Sequence, residues 1–234
     1  MIMEQAHENK MTRDETLKVA LMVGKILLKS GAETYRVEDT INRFCIANGY
    51  EVDIFVTPTV IILGNEQVDS FNCVSRIRYR TTNLGMISEM NDMSYKFERW
   101  PMSYRGTMAW LEEKLKAQVP YGKWKVCLAS AIASASFSAM LGGNSHDFIA
   151  AFITGGIAML VLKQIAGYRP SAFWENALAG VAIGVVALIC CAVSVQCTME
   201  KIIVGALMPF VPGVAFTNGL RDYMAGDLLS GNAR

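Results

Sequence analysis

The sequence predicts an α+β cytoplasmic domain followed by an all-α transmembrane bundle of about four helices, the fourth broken by prolines. Three observations support this prediction. Of 43 charged residues, 33 lie in positions 1–125 and only 10 in the remaining 109. Four apolar segments follow position 125, and the last of them is interrupted by two prolines. Two halves of roughly 100 residues each suit one soluble domain and one membrane domain.

The first half is predicted to contain a disordered tail, residues 1–12, and a cytoplasmic α+β domain, residues 13–120. The tail is polar and lacks the apolar core of a cleavable signal. Apolar residues recur at helical spacing in 14–29 and 33–47, and two later helices are expected at about 83–98 and 104–118. Alternating residues predict strands around 52–56, 60–63 and 71–80, the last with Arg76, Arg78 and Arg80 on one face.

The second half, residues 121–234, is predicted to be a transmembrane helical domain. Its spans lie at about 126–141, 148–162, 176–195 and 202–225. Two of them are shorter than the ~20 residues that cross a bilayer core, so buried helices of a soluble protein are the alternative. The first span is rich in Ala and Ser, and the third carries Gly180 and Gly184. Small residues of this kind let membrane helices approach closely.

Loop charges predict the orientation of the bundle. Lys and Arg cluster in one set of flanking loops, whereas the opposite loops, residues 142–147 and 196–201, contain only Lys201. Because an excess of Lys and Arg stays in the cytoplasm, we expect the soluble domain and the C-terminus to face inward. In the first of the opposite loops, His146 and Asp147 are interpreted as a helix-start cap, with a proton relay as the alternative.

Composition and motifs argue against several classes of function. The formal net charge of +1 gives no argument for a nucleic-acid partner. The six cysteines form no CxxC pair and the chain has only two histidines, so neither a metal site nor a disulfide framework is expected. The sequence has no nucleophile–base constellation and no Walker motif, so neither an enzyme nor an intrinsic ATPase is predicted, and no cofactor is expected.

The broken fourth segment is the candidate substrate-binding site. Pro209, Pro212 and Gly213 interrupt it, and freed backbone groups at membrane depth are tolerated only where protein or a water-filled cavity satisfies them. A half-helix that restarts after Pro212 and Gly213 would direct its N–H groups and positive dipole end at a substrate carboxylate. The alternative is that the prolines only shape a packing kink.

Polar residues follow this break. Thr217 and Asn218 can bind a hydroxyl or amino group of a substrate. Arg221 and Asp222 have two interpretations, an intramembrane pair on a transport pathway or an ordinary pair at the cytoplasmic end of the span. Interrupted hydrophobic segments of this kind are typical of transporter binding sites, which predicts a membrane transport component.

Three blocks of the sequence together resemble the bacterial threonine/serine exporter family. They are residues 30–38, the turn around Thr57 and Pro58, and residues 207–213 followed by Asn218, Arg221, Asp222, Gly226 and Asp227. The resemblance covers essentially the whole chain. It implies a multi-pass protein of the bacterial inner membrane, with a cytoplasmic domain preceding about five membrane helices. Family members continue into a further apolar helix after the equivalent of residues 231–234, so either this sequence is truncated or this member lacks that helix.

The resemblance also implies a motif in the soluble domain and a partner. The motif residues are Gly31, Glu33, Arg36, Glu38, Thr57 and Pro58. Glu33 and Arg36 are spaced to share a helical face, either as a surface ion pair at a helix start or in a regulatory or gating site. Some family members work with a second, smaller membrane subunit, which implies such a partner here. A homo-oligomer and the lipid bilayer are the other partners considered.

These inferences predict a subunit of a secondary transporter that exports a small carboxylate-bearing metabolite, with threonine or serine favoured by the resemblance. A related two-subunit branch of the family is linked to succinate, so a dicarboxylate exporter subunit is one alternative. A membrane-tethered hydrolase and a regulatory subunit are the others.

Overall fold

A computed structural model of the chain describes residues 11–64, 73–100, 102–116, 121–165 and 172–234. The chain forms two compact units. The first, here called the mixed unit, comprises Met1–Val119 together with Pro212–Arg234, and the second, the helical unit, comprises Pro120–Val211. The residues after Pro212, which the sequence analysis grouped with the membrane spans, therefore belong to the same unit as the predicted soluble domain.

Most of the predicted tail lies outside the described residues, but its last two residues belong to the folded mixed unit. Met11 is buried. Thr12 accepts a hydrogen bond from the N–H of Glu15, and the Glu15 carboxylate accepts one from the N–H of Thr12 at 2.9 Å. This reciprocal capping box satisfies two backbone donors and starts helix α1, Arg13–Lys29.

Helix α2, Thr34–Ala47, follows α1 after a tight turn. Gly31 in this turn has a φ of 86°, a left-handed conformation that favours glycine. The two helices approach closely at Gly24, where an added Cβ atom would lie 2.7 Å from Cδ1 of Ile41. Both helices occupy the ranges that their apolar periodicity predicted, because each buries one apolar face in a shared core.

Three short strands form an antiparallel sheet in the order β1–β2–β3. They are β1, Asp53–Val56; β2, Val60–Gly64; and β3, Cys73–Arg76. Ile61 and Leu63, alternate residues of the central strand, are buried, so one face of the sheet covers the core of the mixed unit.

The third strand is shorter than predicted. It ends at Arg76, so Arg78 and Arg80 do not continue a strand face, and the predicted first residues, 71–72, lie outside the described residues. The chain leaves the sheet because the N–H of Thr81 donates to the carbonyl of Lys29 at 2.8 Å. The end of α1 therefore replaces a strand as the partner for this backbone.

Four further helices complete the mixed unit in its described residues. They are α3, Leu84–Arg99; α4, Tyr104–Lys116; α9, Gly213–Met224; and α10, Leu228–Asn232. The rings of Phe44 and Phe97 lie 4.7 Å apart between centroids, which joins α2 to α3 in the core.

The described residues of the helical unit form four α-helices and one 3-10 helix. They are α5, Lys123–Met140; α6, Ser145–Ile165; α7, Ala172–Val193; α8, Met199–Leu207; and the 3-10 helix Met208–Phe210. The last of these contains Pro209, so the expected interruption after α8 is a change of helix type followed by a restart at Gly213.

Small residues bring three helices of this unit together. An added Cβ atom at Gly155 of α6 would lie 2.5 Å from Cβ of Ser134, and one at Gly205 of α8 would lie 2.9 Å from Cβ of Ser138. Both serines belong to α5, so this helix is the common partner. By contrast, nothing in the described chain lies within 4 Å of an added Cβ at Gly180, so that glycine does not mediate packing inside the unit.

Asp147 fixes one end of the helical unit. Its N–H donates to the Asn144 side chain at 2.8 Å, and its carboxylate accepts from the N–H of Asn144 at 3.0 Å. The same carboxylate accepts from the N–H of Thr198 at 2.5 Å and is fully buried. Asp147 and Asn144 therefore form a reciprocal cap at the start of α6, so the predicted cap is confirmed for Asp147 with Asn144, not His146, as its partner. Asp147 also ties this helix to the loop before α8.

Two helices among the described residues are long and apolar enough to cross a membrane, Ser145–Ile165 and Trp174–Val193. They coincide with the second and third predicted spans. The bent pair Met199–Phe210 and Gly213–Met224 would make a third if it is one broken span. The 18-residue helix α5, which contains the first predicted span, does not meet the same criteria.

We expect Gly155→Ala to destabilise the helical unit by about 1–3 kcal/mol, because the new methyl group would overlap Ser134 in a filled interface. Gly180→Ala is the matched control, since its methyl group would enter open space. The measurement is loss of helical ellipticity on heating the purified full chain in detergent. Equal melting temperatures for the two variants would contradict the packing described here.

Candidate functional site

A group of acidic and basic side chains, together with one threonine, lies where the start of α2 meets α9 and α10 in the mixed unit. We call it the ion-pair cluster and define it by seven residues: Glu33, Thr34, Arg36, Arg221, Asp222, Asp227 and Arg234. It joins positions about 190 residues apart in the sequence. Except for Arg234, the members of the cluster lie in the first and third of the sequence blocks that resemble the exporter family.

The local sequence presents the polar face of α9 to this cluster. The helix starts at Gly213, directly after the interrupting Pro212. Asn218 and Asp222, four positions apart, project from the same side of the helix and are buried. Asn218 donates from Nδ2 to the carbonyl of Gly31 at 2.8 Å, so α9 is fixed to the turn between α1 and α2.

Asp222 is the most buried charge of the cluster, with none of its surface exposed. Its Oδ2 accepts from Nε of Arg234 at 2.6 Å, and the Arg234 side chain is itself only 6% exposed. Its Oδ1 accepts from the hydroxyl of Thr34 at 2.9 Å and from the Thr34 N–H at 3.3 Å. Because this N–H belongs to the first turn of α2, the carboxylate also interacts favourably with the positive end of that helix.

Thr34 links the two acidic residues of the cluster. Its hydroxyl oxygen lies 2.9 Å from Oδ1 of Asp222 and 3.1 Å from Oδ2 of Asp227. A threonine hydroxyl has one hydrogen, so it donates to one of these carboxylates at a time. The Thr34 hydroxyl can therefore donate either to Asp222 of α9 or to Asp227, the residue that caps α10.

Asp227 starts α10 and keeps its negative charge. Its Oδ1 accepts from the N–H of Ser230 at 3.0 Å. Burial alone would raise the pKa of Asp227, but hydrogen bonds from Ser230 and Thr34 and the charge of Arg234 outweigh it, and the pKa lies below its ordinary value. The short helix α10 then leads to Arg234, whose Nη2 donates to the carbonyl of Ala32 at 2.7 Å.

Glu33 occupies the exposed edge of the cluster but is itself buried. Its Oε1 accepts from Nη1 of Arg221 at 2.6 Å, and its Oε2 lies 3.4 Å from Nε of Arg36. The side chain of Arg221 is 58% exposed, whereas that of Glu33 is 7% exposed. Burial would raise the pKa of Glu33, but its own backbone N–H, the Arg221 hydrogen bond and the two arginine charges together hold the pKa below its ordinary value.

Glu38 borders the cluster and behaves in the opposite way. It lies one turn further along α2 and accepts from the N–H of Val56 at 3.0 Å. Burial raises its pKa, and the negative charges of Asp227 and Asp222 raise it further, against the hydrogen bond from Val56. Glu38 therefore takes up a proton more easily than Glu33 or Asp227, whose pKa values are lowered.

The structure brings together many of the residues predicted from the sequence. Gly31, Glu33, Arg36, Asn218, Arg221 and Asp222 meet in or beside the ion-pair cluster. Thr217 does not, because its exposed hydroxyl donates to carbonyls of its own helix at Gly213 and Val214. Thr57 and Pro58 form the turn between β1 and β2.

Two interpretations from the sequence are corrected. Arg221 and Asp222 do not pair with each other, since Arg221 binds Glu33 and Asp222 binds Arg234. The pair of Glu33 with Arg36 exists, but it is not a plain surface pair because Glu33 is buried and also holds Arg221.

Sequence reasoning missed two members of the cluster. Thr34 stands inside the quoted block 30–38 without a pattern that marks its hydroxyl as a ligand. Arg234 is separated from Asp222 by a turn and a short helix, and no periodic signal spans that distance. Across the described ranges, no group of three or more His, Cys, Asp or Glu residues is arranged to hold a metal ion.

A family model for threonine/serine exporters, ThrE, matches residues 18–234. The chain belongs to this family. The match includes every residue of the ion-pair cluster and confirms the resemblance inferred from the motifs. Comparison with curated proteins and with solved structures found no match. Together with the apolar helices that can span a bilayer, the family identifies a membrane transport protein of the exporter type.

We expect Arg234→Met to destabilise the mixed unit by about 3–5 kcal/mol, because it leaves the buried carboxylate of Asp222 unpaired. The double variant Asp222→Asn with Arg234→Met should recover part of this loss, since the uncompensated charge is gone. Arg36→Met, at a partly exposed pair, should cost less than about 1 kcal/mol. Denaturant titration of the full chain in detergent measures all three, and equal losses for the two single variants would contradict the assignment.

Glu33 should make the stability of the folded mixed unit depend on pH under acidic conditions. Its folded pKa lies below the ordinary value of 4.5, so its contribution is fully present above that value and is lost as the pH falls through the folded pKa. We expect Glu33→Gln to flatten the fall in melting temperature below about pH 4.5. Glu113→Gln, at an exposed position of α4, is the control and should leave the profile unchanged.

Proposed function

We propose that this chain is a subunit of a secondary transporter that exports threonine or serine. The observation that carries the proposal is the ion pair between Glu33 and Arg221, which lie in the two sequence blocks that resemble the exporter family. It combines a buried carboxylate with a guanidinium that is more than half exposed. Such a pair offers one partner for each charged end of an amino acid.

The chemistry of the site favours a zwitterion. The carboxylate of a free amino acid can take the place of Glu33 on Arg221, since guanidinium groups bind carboxylates in a bidentate manner. Its ammonium group can take the place of Arg221 on Glu33. A dicarboxylate such as succinate has no ammonium group, so it would leave the buried carboxylate of Glu33 without a replacement for Arg221. The balance of charges therefore supports an amino acid over the dicarboxylate alternative.

Glu38 is proposed as the proton-binding group that couples export to a proton gradient. It is half-buried, lies near both Asp222 and Asp227, and has a raised pKa for that reason as well as through burial. Protonation of Glu38 removes one negative charge next to the ion-pair cluster. Charge near the Glu33–Arg221 pair would then change with the proton supply, which is what a secondary transporter needs.

We further propose a second, smaller membrane subunit as the partner, a bacterial inner-membrane location and a cytoplasmic N-terminal domain. The partner follows from the family resemblance. The resemblance also supports the location, and the excess of Lys and Arg in the loops on one side of the bundle supports the orientation.

The test is efflux from cells loaded with labelled threonine, serine or succinate. The cells express this chain alone, this chain with the proposed second membrane subunit, or neither protein. We expect efflux of threonine or serine only when both subunits are present. Arg221→Gln should lower that efflux about tenfold or more, the effect of losing one charge-assisted hydrogen bond to the substrate.

Thr217→Val is the matched control on the same helix, because its hydroxyl serves only backbone carbonyls of α9. Its efflux should stay within about twofold of the unaltered chain. Efflux of succinate but not of threonine or serine would contradict the substrate assignment. Normal efflux by Arg221→Gln would contradict the role of the ion pair.

A further inference from the structure

Helix α9 has its polar face buried and its apolar face exposed, the reverse of a helix at the surface of a soluble protein. Asn218 and Asp222 are buried on one side. On the other side, Phe216, Leu220 and Met224 follow one another at four-residue spacing with exposed fractions of 74%, 55% and 82%. A surface helix of a soluble domain normally places its apolar stripe towards the core. This apolar stripe faces away from its own unit.

The apolar stripe is part of a larger exposed surface. Further exposed apolar side chains lie near the end of this helix and in α10: Tyr223, Leu228 and Leu229. Contiguous apolar surface of this kind marks a contact with another molecule or with a membrane. One edge of the stripe is polar, because the exposed side chains of Arg221 and Thr217 lie along it.

Helix α9 is too short to cross a membrane by itself. Its 12 residues give a length of about 18 Å, whereas the hydrocarbon core of a bilayer is about 30 Å thick. Its polar face is fixed to the turn before α2 and to Arg234 by hydrogen bonds and an ion pair. Moving that face to the bilayer centre would bury several charged groups in hydrocarbon, which is strongly unfavourable.

We infer that α9 is an interfacial helix that lies along the membrane surface. Its apolar stripe enters the boundary between headgroups and acyl chains, and its polar face carries the ion-pair cluster on the aqueous side. The composition of the chain supports lipid as the occupant, since α9 and the segment Met199–Phe210 directly before it are together apolar enough for a membrane. Tyr223 and Arg221 suit the headgroup level, where amphipathic rings and cations are favourable. The inference does not depend on which substrate is exported.

The test uses the full chain reconstituted in vesicles of neutral and anionic phospholipids. A genetically encoded fluorescent amino acid replaces Phe216, Leu220 or Met224 in turn, and nitroxide-labelled lipids quench it from a shallow or a deep acyl position. The native cysteines stay in place. Ile46, an exposed apolar residue of the same unit near the far end of α2 from Glu33, is the control position.

We expect quenching by the shallow label at least about twofold stronger than by the deep label at two or more of the three stripe positions. The fluorescent probe at residue 46 should be quenched by aqueous iodide and by neither of the two nitroxide-labelled lipids. Stronger quenching by the deep label at the stripe would overturn the inference in favour of a crossing span. No lipid quenching at any stripe position would overturn it in favour of a stripe covered by protein.

Discussion

The buried charge of Asp222 is the constraint on which the rest of the mixed unit depends. A carboxylate with no access to water must be paired and fully hydrogen-bonded, because an isolated buried charge is very unfavourable. Arg234, just after the short helix α10, and Thr34, at the start of α2, satisfy it. To bring these partners within reach, the chain needs the left-handed turn at Gly31 and a second tight turn at Gly226, which has a φ of 88°. The positions of α9 and α10 follow from that requirement.

The burial of Asp222 also determines which side of α9 is available to contact other molecules. Since Asn218 and Asp222 are used inside the unit, the helix can offer only its apolar side and the exposed guanidinium of Arg221. Under the proposals above, the apolar side rests on lipid and the guanidinium holds a substrate carboxylate. One helix would then position a soluble-domain motif at the membrane surface.

Local patterns in the sequence predicted most of the fold, because helices and strands reflect the periodicity of apolar residues over a few turns. Helices α1 to α4 agree with their expected ranges to within a few residues, and the break at Pro212 starts a new helix as expected. The end of the third strand was not predictable in this way, since it depends on hydrogen bonds to the end of α1. Arg221 and Asp222 looked like a pair because they are adjacent, but neighbouring residues on a helix point in different directions. Their true partners, Glu33 and Arg234, are set by tertiary contacts that leave no local signal.

The mixed unit is discontinuous in the sequence, and this has a consequence for its biosynthesis. Residues of Pro120–Val211, which form the helical unit, must be made before α9 and α10 exist. During that time Glu33 and Thr34 have emerged from the ribosome without Arg221, Asp222 or Arg234 to bind. As a result, the N-terminal elements of the mixed unit remain incomplete until the helical unit, α9 and α10 have all been synthesised. Closure of the ion-pair cluster therefore marks the point at which the whole intervening helical unit has been synthesised.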